Sequence, residues 1–498
     1  GYDSSPYLMN GSVSNFRIVK GTAVYTSSFR PPTEPLTAIT NTVLLCCNNS
    51  STTGSTVTPG TITANGDPEA STNSPFDDPA GYKFGEEGDQ NLIKCGSYIG
   101  NVSTDGPEVY VGFEPQWLMI RGEGGGDWNM VDAMRGIVTE GNDHRLWANL
   151  TSGESTSMDA VDITPTGFKI KHDGSSFNST GTMLYIAIRR PDGYVGKPPS
   201  AGTGVLAMDT GAGTTIPNYD SGFPVDLGII KMPASVADWY ASARLIQGKY
   251  LDVNGSDAAA AWNVMNFDSN EGWSDDQYGA TWQSWMWKRH AGFDVVNYTG
   301  GGSGDIIPHN LNAVPEMMWV KNKTQSQSWA VYHKGLNGGT NPEQYYQMLN
   351  SPLGTNTLGT ETNRWNDTAP TSTHFSVGGS NNTGNGGDEF IAMLFASAND
   401  ADGNPISKLG YYTGDNTNDG SKAITTGFQP RFIVIKASNA EEVWVVLDTL
   451  RGIQNNGNDQ ILYFDRNDAQ VAGAGVDISA TGFALRAASG EFNANGYN

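Results

Sequence analysis

Residues 408–452 read KLGYYTGDNTNDGSKAITTGFQPRFIVIKASNAEEVWVVLDTLRG, and the same order of features occurs twice more upstream. Residues 94–136 read KCGSYIGNVSTDGPEVYVGFEPQWLMIRGEGGGDWNMVDAMRG, and residues 295–335 read VVNYTGGGSGDIIPHNLNAVPEMMWVKNKTQSQSWAVYHKG. Each contains Tyr-x-Gly, a turn, an apolar run ending in a basic residue, and then a tryptophan. A proline stands six positions before the base each time, in the pairs Pro115/Arg121, Pro315/Lys321 and Pro430/Lys436. A divergent copy, GFPVDLGIIK at 222–231, puts Val225 at the proline position and Lys231 at the base. Trp128, Trp239, Trp329 and Trp444 follow the four bases by seven or eight residues, a register that composition alone does not produce.

The runs WLMIR, LGIIK, MMWVK and FIVIK have strand length and are bounded by Gly, Pro and Asn, while WNMVD and WVVLD read as return strands, so each unit predicts a β-hairpin. A proline suits the first position of a strand, where its missing N–H costs no ladder bond. Repetition at this spacing makes the fold class all-β, as tandem antiparallel β-sandwich domains. The repeats are expected over 93–192, 193–293 (divergent), 294–400 and 401–498. Phe168, Met183–Ile188, Phe375 and Phe390–Phe395 mark further strands in the second halves of the first and third copies. The fourth copy stops at Tyr497-Asn498, about where the first copy enters Met183–Ile188, so its last strand is expected from chain beyond Asn498, in preference to a strand from another chain.

With 498 residues the chain exceeds one core, and its 62 glycines gather between apolar segments, as turns of an all-β protein require. A net charge of −23 would repel a phosphate backbone, and the sequence holds no basic run, so no nucleic-acid partner is expected. No apolar stretch is long enough to span a bilayer as a helix, so no membrane insertion is expected. Cys46, Cys47 and Cys95 show no metal-ligand spacing, and Cys46 and Cys47, at the end of VLLCC, read as small, buried residues.

Residues 1–48 alternate in a strand-like way through NFRIVKGTAVYT, turn at FRPPTEPLT and resume at VLLCC. Residues 49–92, rich in Ser, Thr, Gly and Pro, read as a linker or arm. Within it, Glu87 and Asp89 resemble a carboxylate pair, but Leu92 stands where a glucanase-type Glu-x-Asp-x-x-Glu strand needs its second glutamate.

The chemistry-bearing candidates are few. Trp273, Trp282, Trp285 and Trp287 form an aromatic stretch, and an aromatic face can stack on the C–H face of a pyranose. The favoured reading is core packing, because this strand aligns with Met183–Ile188 and Phe390–Phe395; a carbohydrate-binding site is the sharper alternative. Asp400 and Asp402 in NDADGN begin like a calcium loop without the later glutamate, so Ca²⁺ is possible but an inter-repeat turn is favoured. Asp132/Arg135 and Asp448/Arg451 read as surface or turn-locking ion pairs. The six histidines make no motif, and no nucleophile elbow or phosphate loop occurs. No catalytic residue and no other cofactor is expected.

The stretch SNFRIVKGTAVYTSSF with its following prolines resembles the C-terminal end of concanavalin A-like, laminin-G-like jelly rolls of phage fibre proteins, which implies that more protein precedes Gly1. Taken with the repeats, WMWKR (285–289) and WNDTAPTSTHF (365–375), the chain is similar to tail-fibre-like structural proteins of marine bacteriophages, including those of cyanobacteria. The resemblance implies a non-enzymatic virion appendage, extracellular, serving reach and host adhesion. Its implied partners are other virion proteins, further copies of itself, as a trimer, and a host surface glycan or receptor. A lectin-like protein using Trp273–Trp287 is the alternative, and polysaccharide hydrolysis ranks last because the repeats share no carboxylate pair.

Overall fold

A computed structural model describes residues 13–26, 35–49, 51–64, 92–139, 141–190, 195–275 and 277–498. The Glu87/Asp89 stretch and most of the prolines of FRPPTEPLT lie outside them. The chain forms two compact units, one of residues 1–94 with 110–113, the other of residues 95–109 with 114–498.

In the first unit Phe16–Val19, Thr42–Cys46 and Ser55–Val57 form a three-stranded sheet in that order, with Phe16 opposite Cys46. Strand structure thus continues beyond residue 48 into the segment read as a linker. The cysteines correct the expectation of burial. Cys46 is half-buried at the strand end, and Cys47, with φ of 56°, turns outward and is exposed, as is Cys95.

The second unit is all-β, built from four copies of one sandwich. In the first copy the large sheet runs Ile93–Ile99, Thr182–Arg189, Pro115–Gly122, Gly125–Asp132, Asp143–Trp147, Ser155–Met158. The second copy repeats it as Leu206–Thr210, Gln283–Trp287, Leu227–Lys231, Tyr240–Ala243, Lys249–Asp252, Ala260–Ala261. The third runs Phe293–Thr299, Glu389–Phe395, Met317–Asn322, Ala330–His333, Gln347–Met348. The fourth runs Phe432–Ile435, Val445–Asp448, Asp459–Tyr463, Val471–Gly473, and among the described residues nothing matches Thr182–Arg189. The expected hairpins form in every copy, central in the first three and at the sheet edge in the fourth: Met119 faces Met130, Ile229 faces Ala241, Trp319 faces Val331 and Val434 faces Val446.

A smaller sheet covers one face of each large sheet and closes a private core. In the third copy Met318, Val320, Phe390 and Leu394 pack on Phe375 and Val377 of the small sheet. In the first, Phe168 meets Tyr98 and Tyr185 edge-on. The tyrosine of Tyr-x-Gly has a fixed task, since Tyr98, Tyr298 and Tyr412 donate their hydroxyls to the carbonyls of Phe177, Thr383 and Phe492 at 2.5, 2.6 and 2.5 Å. The alternation rule explains the remaining residues of the run. Side chains between the private-core positions point to the opposite face. These are apolar as well, so each large sheet needs cover on both sides.

Candidate functional site

For the second, third and fourth copies that second cover is another repeat. One core joins the second, third and fourth copies through Ile229, Trp239, Trp285, Trp287, Trp319, Trp329, Met393, Trp444 and Phe464 among others. Trp239 stands 5.0 Å from Trp285 and 4.9 Å from Phe464 between ring centroids, and Trp319 lies 4.8 Å from Phe395 and 5.6 Å from Phe464.

The register tryptophans close this core into a cycle. Trp239 Nε1 of the second copy donates to Tyr463 O of the fourth at 2.8 Å, Trp444 Nε1 of the fourth to Met348 O of the third at 2.9 Å, and Trp329 Nε1 of the third to Asp252 O of the second at 2.7 Å. The register bases repeat the cycle four residues further along each acceptor. Lys231 Nζ donates to Asn467 O at 2.9 Å, Lys436 Nζ to Pro352 O at 3.2 Å, and Lys321 Nζ to Ser256 O at 3.1 Å. Each ammonium also binds carbonyls of its own hairpin, those of Ala237, of Ala437 and of Gln327 respectively. Buried ammonium groups need such acceptors.

Sequence reasoning found the donors but missed their partners. A signal was present. Each acceptor carbonyl lies two residues before an Asn or Asp whose side-chain oxygen accepts the backbone N–H of a register tryptophan: Asn149 for Trp128, Asn254 for Trp239, Asn350 for Trp329 and Asp465 for Trp444. The separations are 21, 15, 21 and 21 residues, so three of four are in register in the sequence itself.

Burial pushes Lys231, Lys321 and Lys436 each down to about 8. An unfolded lysine titrates near ~10.4, so between pH 8 and 10 the unfolded chain holds more protons than the folded one, and stability rises with pH across that window. The urea midpoint is expected to increase from pH 8 to 10. That increase should shrink in a Lys321→Met chain, and a flat profile in the unsubstituted chain would refute the lowered lysine values.

A second polar cluster joins the first three copies. Asp226, 2 % exposed, receives Arg190 at 3.1 Å, Arg244 at 3.3 Å and the backbone N–H of Arg289 at 2.7 Å. Arg289 in turn spans Glu114 through both terminal nitrogens, at 2.6 and 2.7 Å, and donates Nε to Asp294 at 2.7 Å. Burial would raise the Asp226 carboxyl, but Arg190, Arg244 and Arg289 outweigh it and hold it at about 2. Burial likewise opposes the charge on Arg289, yet Glu114 and Asp294 keep it well above the ordinary arginine value. The buried base of WMWKR is therefore a junction between copies.

The Trp273–Trp287 stretch is core. Trp273, Trp282, Trp285 and Trp287 are 0, 6, 1 and 7 % exposed. Trp273 lies between Tyr219 and Phe267 and bonds Ser284 Oγ at 2.9 Å, Trp282 stacks on Tyr278 at 3.9 Å, and Trp285 donates to Asp448 Oδ2 at 3.1 Å. The carbohydrate-binding alternative at these residues is thereby corrected, because a pyranose needs an open ring face and both faces here meet protein. Asp400 caps its own turn, accepting the N–H groups of Asp402 and Asn404 at 3.0 and 2.8 Å, while its other oxygen accepts Asn404 Nδ2 at 3.1 Å. Among the described residues no group of three His, Cys, Asp or Glu side chains is placed to hold a metal ion. Asp448 and Arg451 form a buried turn lock at 2.6 Å, and Asp132 and Arg135 a half-buried one at 2.6 Å. Pro115, Pro315 and Pro430 are all buried at or just before the central strand.

An open depression of about 590 Å³ on the first copy is lined by Thr104, Asp105, Ser157, Met158, Asp159, Lys171 and His172. Its histidine pairs with the adjacent Asp173 at 3.6 Å. Among the described residues no helix is long and apolar enough to cross a membrane.

Comparison with known proteins finds one family model, described as a domain of unknown function (DUF7483), matching residues 11–190 and 252–498. The unmatched interval falls on the first half of the divergent second copy. No curated protein matches the chain.

Proposed function

The chain belongs to the DUF7483 family, and from that premise we propose that it is a non-enzymatic structural protein, a multidomain fibre or spike-like appendage of a marine phage virion. It works outside the cell, in contact with other virion proteins and with further copies of itself, and serves reach and adhesion to the host surface. The observation that carries this reading is the use made of the residues the copies share. Trp239, Trp329 and Trp444, the register lysines and the WMWKR arginine all join one repeat to another. Trp365 of WNDTAP is likewise core, 1 % exposed and bonded to Tyr345 O at 3.0 Å. What the repeats share builds a stiff body, and what differs between them is loop. A stiff body that displays several different loops suits multivalent attachment, in which weak contacts add to useful avidity.

The test is to locate the chain in its native particle by cryo-electron microscopy. Density for its repeats projecting from a phage tail or capsid is the expected result. A free protein outside any particle would overturn the reading.

A further inference from the structure

We propose that Cys46 and Cys47 are a modification site, a vicinal dithiol that closes reversibly into an eight-membered disulfide ring, and that closing it loosens the first strand of the first unit's sheet. The site lies wholly within that unit, and its chemistry holds whether or not the chain belongs to a virion.

Adjacent residues of a regular strand point to opposite faces, which keeps their side chains apart. Cys46 and Cys47 escape that rule. The strand Thr42–Cys46 ends at the first of them, and there its pairing slips by a residue, Leu45 lying opposite Val57 but Cys46 opposite Ser55. Cys47 then takes a left-handed φ of 56°. Among the described residues the other non-glycine positions with positive φ are Asn or Asp, apart from Val102. Asn and Asp enter that region readily because their short polar side chains bond locally, which a thiol does poorly. The turn brings the two sulfurs together, Sγ to Sγ at 3.9 Å. Backbone strain of this kind gathers where a chain does chemistry.

The two thiols differ in a way that orders the reaction. Cys47 is exposed and Cys46 half-buried, and burial, together with the neighbouring sulfur, pushes the Cys46 thiol up. The thiolate is the nucleophile, so Cys47 meets an oxidant first. With hydrogen peroxide as that oxidant, the Cys47 sulfur attacks one peroxide oxygen; an S–O bond forms, the O–O bond breaks, and the other oxygen leaves as water with the thiol's proton. The Cys46 sulfur then attacks the Cys47 sulfur, and the hydroxyl departs with the second thiol's proton as another water. The dithiol has given up two hydrogens and two electrons, and the peroxide has become two waters. Cα atoms joined by a trans peptide stand ~3.8 Å apart, short of the roughly 4.4 Å at which disulfides begin, so the ring is strained. A strained, exposed disulfide is the labile kind that a dithiol reductant reopens.

Closure acts on the sheet through one carbonyl. Asn15 N–H donates to Cys47 O at 2.8 Å, and Asn15 Oδ1 accepts the N–H of Leu36 at 2.8 Å. Asn15 leads into Phe16–Val19, whose Phe16 lies opposite Cys46. The ring fixes the torsions on either side of the Cys46–Cys47 peptide, so the Cys47 backbone turns as its sulfur is drawn in. The carbonyl offered to Asn15 turns with it.

One equivalent of hydrogen peroxide added to the full, reduced chain is expected to remove two hydrogens from the tryptic peptide that carries both cysteines, and to leave one free thiol of three, that of Cys95. Mass spectrometry reads the first and thiol titration the second. A dithiol reductant should restore all three thiols. Hydrogen exchange at Asn15 N–H should quicken about fivefold on oxidation, the effect of losing one hydrogen bond of ordinary net worth. Cys46→Ser should abolish the loss of two hydrogens, and so should Cys47→Ser, whose exposed position leaves the fold intact. Three thiols surviving the peroxide, oxygen retained on either sulfur, or a bridge from Cys46 or Cys47 to Cys95 or to another chain would each overturn the site. A ring that forms without a change at Asn15 would overturn its hold on the sheet.

Discussion

Asp226→Ala is expected to destabilise the repeat body by about 3–5 kcal/mol, the cost of removing one partner from a buried ion cluster. Asp226 is the anion shared by Arg190, Arg244 and the Arg289 backbone, and alanine would leave positive charge facing positive charge inside the protein. The loss should appear as a lowered urea midpoint, and adding Arg244→Met should recover part of it, because the second change removes one of the stranded cations. The same carboxylate sets an acid limit. Its folded value of about 2 lies below the roughly 3.9 of an unfolded aspartate. Its contribution is therefore complete above pH 4 and is lost as pH falls towards 2. A stability profile flat from pH 5 to 2, or an Asp226→Ala chain as stable as its parent, would refute the role.

Trp239→Ala should cost about 3–5 kcal/mol as well, for a different reason, the cavity left by a large buried side chain. Trp239 is fully buried, lies against Trp285 and Phe464, and donates to Tyr463 O, so its loss opens the seam between the second and fourth repeats. Trp239→Phe separates the two contributions. It retains most of the apolar contact but leaves the Tyr463 carbonyl without its donor, for about 1–3 kcal/mol. Calorimetry of both variants tests this ordering. Alanine no worse than phenylalanine would show that the seam does not depend on packing.

The sequence made the hairpins legible because a strand's entry proline, its apolar run and its terminal base are local features. The all-β sandwich followed from their repetition. WMWKR was legible as a strand, and packing was the favoured reading of its tryptophans because the run aligns with other core strands. What faced them was not legible. In a sheet covered on one side the outward positions turn polar, whereas FIVIK and MMWVK are apolar on both faces, and that pattern states that a second cover exists without naming it. The cover comes from a repeat more than 200 residues away in the case of Trp239 and Tyr463. The junction of Arg289 with Glu114 is hidden for the same reason, since the partners are 175 residues apart. The cysteines at 46 and 47 misled because apolar neighbours imply burial only when the strand continues, and here it ends at Cys46.

The closed cycle of the second, third and fourth repeats also bears on how such a chain can change its length. In an open solenoid each unit touches only its neighbours along the line, so units can be gained or lost with little penalty. Here the fourth repeat bonds back to the second, so deleting any one of the three severs two seams and leaves two tryptophan faces bare. A duplicated unit would find no vacant seam. Copy number inside the cycle is thus fixed at three, and recombination that lengthens or shortens the chain is confined to segments outside it, where an added domain need not break a seam.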